Sequence, residues 1–336
     1  MTSIPVSAPS PAAASPIAPS GAVVAAVPEL GTLVFEGADA ASFLQGQLSN
    51  DVSAMEAGAA QWTSYNSPKG RMLATLLLWR AGPASFRAWV AADLAEPLRK
   101  RLAMFVLRAK VTVTDRSGES RRFGVAGPGA HDAVRRALGA VPEAAHGVMA
   151  AGCRVVATAD GRVIVDAPND VAAATERLLG AHARTVPAEH WQWFGIRAGV
   201  AVITGPTQDR FVPQTANWDL VGGVNFRKGC YPGQEIVARM QYLGRLKERL
   251  FAFHVAAPPP AAATPLYHAA FGDQACGTVV NAAAAPEGGS DLLAVVQWSA
   301  LAEPALHLGA PDGPTLAPLP LPYDVPAPAA ASRPRL

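Results

Sequence analysis

Residues 217–244 read NWDLVGGVNFRKGCYPGQEIVARMQYLG, and at their centre stands Lys228-Gly229-Cys230-Tyr231-Pro232-Gly233-Gln234-Glu235. A single cysteine lies two residues from a lysine, with glycines on either side of the group. Pro232 suits the first position of a helix, where its missing N–H has no intrahelical partner anyway. Gln234 and Glu235 then fall in the first turn, where the helix dipole favours a carboxylate. Ile236, Val237 and Met240 make an apolar stripe, so the pattern predicts a helix from Pro232 to about Tyr242, stopped at Gly244. Cys230 would stand just ahead of a helix N-terminus and near a cation, the surroundings in which cysteines react. The plainer alternative is a small packed side chain.

Outward from this stretch, the chain has 336 residues, enough for two or three domains. Half of it is hydrophobic and only 16% charged, with a net charge of +2 that gives no footprint for direct nucleic-acid binding. No apolar run approaches the roughly 18–20 residues that span a bilayer, so no membrane contact is expected. Three cysteines, Cys153, Cys230 and Cys276, lie far apart without a CxxC pair. That excludes a disulfide framework or a metal ligand set as the organising device and points to a reducing cytoplasm. His190 and His254 have no metal-ligand spacing.

Residues 1–24 are Ala/Pro-rich and 324–336 form a similar tail, both expected to be disordered. Between them, strands are predicted at Thr32–Glu36, Gln61–Asn66, Met72–Arg80, Phe86–Ala91, Lys110–Thr114, Phe123–Ala126, Cys153–Thr158 and Arg162–Asp166. Helices are predicted near Ala38–Leu48, Leu94–Val106, Ala130–Leu138, Val171–Leu179 and Glu189–Ala198. Ser67-Pro68-Lys69-Gly70 and Asp160-Gly161 are hairpin turns. The alternation suggests an α+β fold built from split β-α-β units. Trp191, Trp193 and Phe194 exceed what one helix face buries, so one of them is a candidate to line a ligand pocket. The segment 204–226 has little periodicity, as functional loops often do. Leu250–Val255, Gly277–Asn281 and Leu292–Gln297 read as strands of a small antiparallel barrel or sandwich.

Lys228–Glu235, followed by Ile236-Val237-Ala238-Arg239, resembles the signature of YgfZ-type folate-binding proteins, relatives of the glycine cleavage T-protein (aminomethyltransferase). The resemblance extends through Arg197-Ala198-Gly199, Phe211–Gln214, Asn217, Gly222-Gly223, Phe43–Gln47, Asn50-Asp51-Val52 and Pro68–Arg71, covering roughly residues 30–323. It implies a T-protein-like α+β fold with a central cavity and a C-terminal antiparallel β-barrel. The implied division is a folate-binding domain at 25–245, with subdomains at about 25–120 plus 200–245 and at 121–199, then a barrel at 246–323. It implies tetrahydrofolate or a one-carbon derivative as cofactor, held by Trp191, Asn217 and Arg197, with Cys230 as a functional thiol facing the cavity. Transient partners would be iron–sulfur enzymes or their assembly proteins, with an indirect effect on tRNA thiomethylation. Two other roles are implied: a folate-dependent aminomethyl transferase, or a non-catalytic folate-sensing scaffold.

The sequence departs from that family pattern twice. Arg197 stands where T-protein enzymes carry a pterin-binding glutamate, and no aromatic stands near Leu30, where relatives carry a second tryptophan. Lys228, a catalytic candidate beside Cys230, is expected to be a solvated charge, to pair with Glu235, or to meet the glutamate tail of folate. Glu235 can serve simply as a helix-start carboxylate, and Arg239 lies one turn beyond it at ion-pair spacing. Gly229, Tyr231, Gly233 and Gln234 complete the motif as packing and hydrogen-bonding positions.

Overall fold

The computed structural model describes residues 21–242, 246–302 and 305–327. Most of both expected tails, and the expected helix stop at Gly244, lie outside those residues. The ordered chain begins earlier than its composition suggests. Strand β1 (Val23–Ala26) is part of a sheet, although Val23 and Val24 fall within the stretch read as tail.

β2 (Leu30–Glu36), β3 (Ala60–Asn66), β4 (Met72–Gly82), β5 (Ser85–Ala91) and β6 (Thr112–Asp115) form an antiparallel sheet in the order β3-β4-β5-β2-β6. Side chains alternate across a strand, so β4 faces two cores at once. Leu76 and Leu78 pack with Phe43 and Leu44 of α1 (Ala40–Gln45) and with Leu94 and Leu98 of α2 (Ala92–Ala103). Leu77 and Trp79 pack the other way, against the next sheet. The continuous apolar run of β4 follows from burial on both faces.

That next sheet joins β1 to β7 (Ser120–Ala126), β8 (His146–Ala150), β9 (Cys153–Ala157), β10 (Val163–Pro168) and β11 (Arg184–Thr185) in the order β11-β1-β7-β10-β9-β8. Only the β1–β11 pair is parallel. Helices α3 (Ala130–Leu138) and α4 (Asn169–Gly180) cover its far face. Its near face, carrying Val23, Ala25, Val156 and Ile164, meets Leu77, Trp79 and Trp89. The N-terminal strand thus belongs to the second sheet, and β2 onwards builds the first.

Helix α5 (Glu189–Arg197) follows, then the loop 198–233 with one 3₁₀ turn, then α6 (Gln234–Tyr242). The last sheet contains β12 (Glu248–Val255), β13 (Pro265–Tyr267), β14 (Gly277–Ala284), β15 (Ser290–Gln297), β16 (His307–Leu308) and β17 (Ala317–Leu319). Its order is β16-β13-β14-β15-β12-β17, with β16 and β17 as open edges. The expected C-terminal barrel is therefore a curled half-barrel. Its edge strands are only two or three residues long, which leaves little free edge to invite foreign pairing.

One buried ion pair ties loop 198–233 to this sheet. Arg249 of β12 makes two bonds to the Asp219 carboxylate, at 2.7 and 3.1 Å, and a third to Gln214 O at 2.7 Å. Arg249 is only 3% exposed, so losing it would strand a desolvated carboxylate. Arg249→Met should lower unfolding stability by about 3–5 kcal/mol in urea titrations. Adding Asp219→Leu should recover part of the loss.

Candidate functional site

Residues 228–233 of the motif fold as a loop, and Gln234 and Glu235 open the helix as the first-turn expectation has it. Pro232 and Gly233 form a turn and α6 begins two residues later than expected, at Gln234. Gly233 adopts φ +75, a left-handed conformation that suits glycine. A β-carbon there would also come within 2.4 Å of Ser67 O. The turn at Ser67–Gly70 and the start of α6 can therefore sit backbone against backbone.

Lys228 is 7% exposed, and its ammonium donates to Gln45 O and Leu48 O, both at 2.5 Å. Gln45 is the last residue of α1 and Leu48 lies just past the turn that follows it, where a cation is favourable. The Tyr231 ring lies 4.9 Å from the same nitrogen. Burial pulls the Lys228 amine down to about 8, against the smaller opposing effects of Asp51 and Cys230. Lys228 is thus a structural cap for α1, and the expected pairing with Glu235 is replaced by these carbonyls. Glu235 and Arg239 are exposed, and no ion pair joins them among the described residues.

Several quoted motifs converge on this loop. Ser49 Oγ donates to Gly223 O at 2.7 Å, and Asn50 Nδ2 to Gly222 O at 2.7 Å. Asn225 Oδ1 accepts from the Arg227 and Lys228 amides, and Gln214 Nε2 donates to Val237 O at 2.7 Å. Gln234 donates back to Lys228 O at 3.5 Å. The result is a rigid mount carrying Gly229 and Cys230 at the surface, with Tyr231 buried beneath them. Cys153, at the start of β9, and Cys276, just ahead of β14, are buried thiols.

A cavity of about 240 Å³ lies elsewhere, beneath α5. Leu30, Trp191, Ile196, Val200, Val202 and Val280 give it apolar walls, and Glu29, Arg162, Gln192 and Asn281 bring polar groups. Trp191 is 7% exposed and packed on β7. A β-carbon at residue 124 would fall 2.1 Å from the indole, so Gly124 is what lets the ring lie against the strand. The Arg162 guanidinium covers the ring at 4.9 Å and is itself gripped by Asp160 at 2.8 and 2.9 Å. A narrow slot of about 50 Å³ with many of the same lining residues extends to Trp62 and Trp89.

The expected ligand residues therefore divide. Trp191 lines the cavity, whereas Asn217, Arg197 and the whole of Lys228–Glu235 do not. Asn217 is fully buried at φ +56, with its amide committed to Leu250 O and its carbonyl near Arg249. Arg197 reaches the Asp291 carboxylate at 3.8 Å beside a separate cavity of about 230 Å³. Asp291 also accepts from Trp193 Nε1 and meets His254 Nδ1, each at 2.8 Å, so Arg197 serves a buried carboxylate. Cys230, expected to face the cavity, is an outward surface thiol. Two cavity residues escaped the sequence reading. Glu29 is the one charged residue before Glu36, inside an otherwise apolar run, which was a usable signal. Arg162 looked like an ordinary hairpin residue.

Lys228→Met leaves two helix-end carbonyls unpaired and should cost about 1–3 kcal/mol of stability. The lysine holds its proton more weakly folded, at about 8, than at its ordinary 10.5. Between those values the unfolded chain binds more protons, so the wild type gains stability from this group as pH rises. The gap between wild type and variant, measured by urea unfolding, should widen across that window.

Comparison with known proteins agrees with this architecture. Residues 19–165 match the GCVT N-terminal domain family. The tRNA-modifying protein YgfZ of Sodalis glossinidius is 29% identical over 300 residues, spanning 87% of this chain and 90% of that protein. The YgfZ of Escherichia coli O157:H7 is 31% identical over 220 residues, spanning 64% and 66%. The crystal structure of the glycine cleavage system aminomethyltransferase T from Bartonella henselae superposes with a TM-score of 0.73 at 15% identity, over 89% of this chain and 85% of that one. At that identity the likeness establishes the fold. With these relatives, this fold and this motif, the chain is similar to the YgfZ proteins and has the glycine cleavage T-protein fold.

Proposed function

We propose that this protein binds tetrahydrofolate, or a one-carbon derivative, in the cavity under α5, and that the bound form supports assembly or repair of iron–sulfur enzymes in the cytoplasm. The observation that carries the reading is the cavity itself. Its apolar walls, a flat Trp191–Arg162 pair and one carboxyl with no hydrogen-bond partner suit a planar heterocycle with polar edges. Folate would supply a carrier for one-carbon units. The chain's own contribution is to hold the ring against the Trp191–Arg162 stack and shield it from water with Ile196, Val200 and Val280. The relatives named as tRNA-modifying proteins favour a role that reaches tRNA through a cluster-dependent enzyme.

In this reading Cys230 acts on a partner, not on the ligand. It is exposed, lies on a rigid mount and does not line the cavity. A single thiol cannot hold an iron–sulfur cluster by itself, so any transient iron or sulfur capture would need ligands from the partner. The arrangement disfavours an aminomethyl transferase of the T-protein kind, because Arg197 is committed to Asp291 and leaves no acid at that position.

Titration with tetrahydrofolate should quench tryptophan fluorescence in the micromolar range, equally in wild type and Cys230→Ser. The Cys230→Ser variant should nevertheless fail to support a cluster-dependent tRNA thiomethylase in cells lacking the protein. Full support by that variant would disprove the thiol's role, and absence of quenching would disprove the folate reading.

A further inference from the structure

Nearly every polar group around the cavity beside Trp191 is already engaged. Asn281 spends its amide on the Val202 backbone, accepting at 2.8 Å and donating at 2.9 Å. Arg162 commits Nε and Nη2 to Asp160, and the Thr204 hydroxyl shares a capping box with Thr207. Glu29 is different. Both of its carboxylate oxygens are buried, and neither accepts a hydrogen bond. The backbone amide of Glu29 and the side chain of Gln192, an exposed residue on the cavity rim, lie close enough to favour the ionised form, but neither closes a well-formed bond on either oxygen. Burial pushes this carboxyl up to about 7, with Glu189 adding to the rise and Arg122 opposing it.

The position of Glu29 is nonetheless fixed. It lies on the short link between β1 and β2, where Ala92 N donates to Glu29 O at 2.8 Å and Val27 N to Arg122 O at 2.9 Å. The link joins the two sheets that enclose the Trp191 slot. A buried carboxylate without donors is costly, and a ligand that brought two donors would remove that cost. The two oxygens of a carboxylate match a pair of parallel N–H groups, as they do in an arginine fork.

We infer that Glu29 is the residue that reads the ligand, setting its carboxylate against two adjacent N–H donors on one edge of a flat heterocycle. The edge of that chemistry is the 2-amino-4-oxopyrimidine, shared by pterins and guanine, and the inference rests on the folate reading only for the choice between them. The ligand edge displaces the Gln192 side chain, and the Trp191–Arg162 stack forms the wall beside the ring. Specificity at this edge thus comes from the inter-sheet link and not from Arg197, which faces Asp291 beside a separate cavity.

Calorimetric titration of wild type and Glu29→Gln with 5-formyltetrahydrofolate, its 2-desamino analogue and guanosine tests this. Wild type should bind the folate and lose roughly 10- to 100-fold in affinity when the 2-amino group is removed. Glu29→Gln should bind the folate as weakly as wild type binds the analogue, and should barely distinguish the two ligands. Thermal unfolding of Glu29→Gln should match or exceed wild type, since a stranded carboxyl has been removed. Equal folate affinity in wild type and Glu29→Gln, or equal sensitivity of both to the 2-amino group, would overturn the inference. Guanosine binding that is lost in Glu29→Gln, with no binding of the folate, would overturn the folate reading while upholding the role of Glu29.

Discussion

Helix α5 is wedged between three sheets, and the cavity exists because of how its aromatic residues are divided among them. Trp191 lies on the bare backbone of Gly124 in the second sheet, and Trp193 reaches Asp291 in the third through its indole N–H. Ile196 packs toward the first sheet's core. Its buried residues Trp191, Trp193 and Ile196 thus turn to different partners, while Glu189 and Gln192 stay exposed. Because its side chains must satisfy three partners with different geometries, they cannot fill all the space between them, and the gap beside Trp191 is what remains. Arg162 closes over the indole and Gly195 leaves room for it, since a β-carbon there would sit 3.1 Å from the guanidinium.

The second organising feature is the mount for Cys230, and it is independent of the cavity. Lys228 stitches loop to helix α1, Asn50 and Ser49 hold the Gly222-Gly223 turn, and Arg249 anchors the loop's start to the last sheet. These are mostly hydrogen bonds from side chains to backbone carbonyls. Such bonds fix a loop that has no secondary structure of its own, because each buried carbonyl left unpaired carries a penalty. In the function proposed above, this loop would present the thiol to a partner while the cavity holds the ligand. Among the described residues, no helix is long and apolar enough to cross a membrane, and no group of three His, Cys, Asp or Glu side chains is placed to hold a metal.

Much of the fold was legible in the sequence wherever local pattern and packing agree. Helix α3 is framed by Gly129 and Gly139, and β9 and β10 flank the Asp160-Gly161 turn, so both were readable from spacing alone. The α+β architecture followed from the alternation of such elements. What escaped depended on distant partners. β1 looks like the end of an Ala-rich tail until β7 and β11 supply the strands on either side. β16 and β17 are two or three residues long and carry no periodicity to detect. The candidate site divided in the same way. The Cys230 motif is contiguous and could be quoted, but its lysine looked solvated because the α1 carbonyls that bind it are some 180 positions away. Asn217 and Arg197 were plausible ligand groups by position, yet Leu250 and Asp291 already claim them. Arg162 could be recognised only once the two sheets closed on each other, whereas Glu29, a lone charge in an apolar run, carried a signal in the sequence.

The central claim is that the space beside Trp191 is a pterin site. A crystal structure of the protein with 5-formyltetrahydrofolate tests it most directly. The account predicts the pteridine ring in the cavity beside the Trp191–Arg162 pair, far from the Cys230 loop. A folate found instead at Cys230, or in the cavity lined by Trp193, Arg197 and His254, would contradict it.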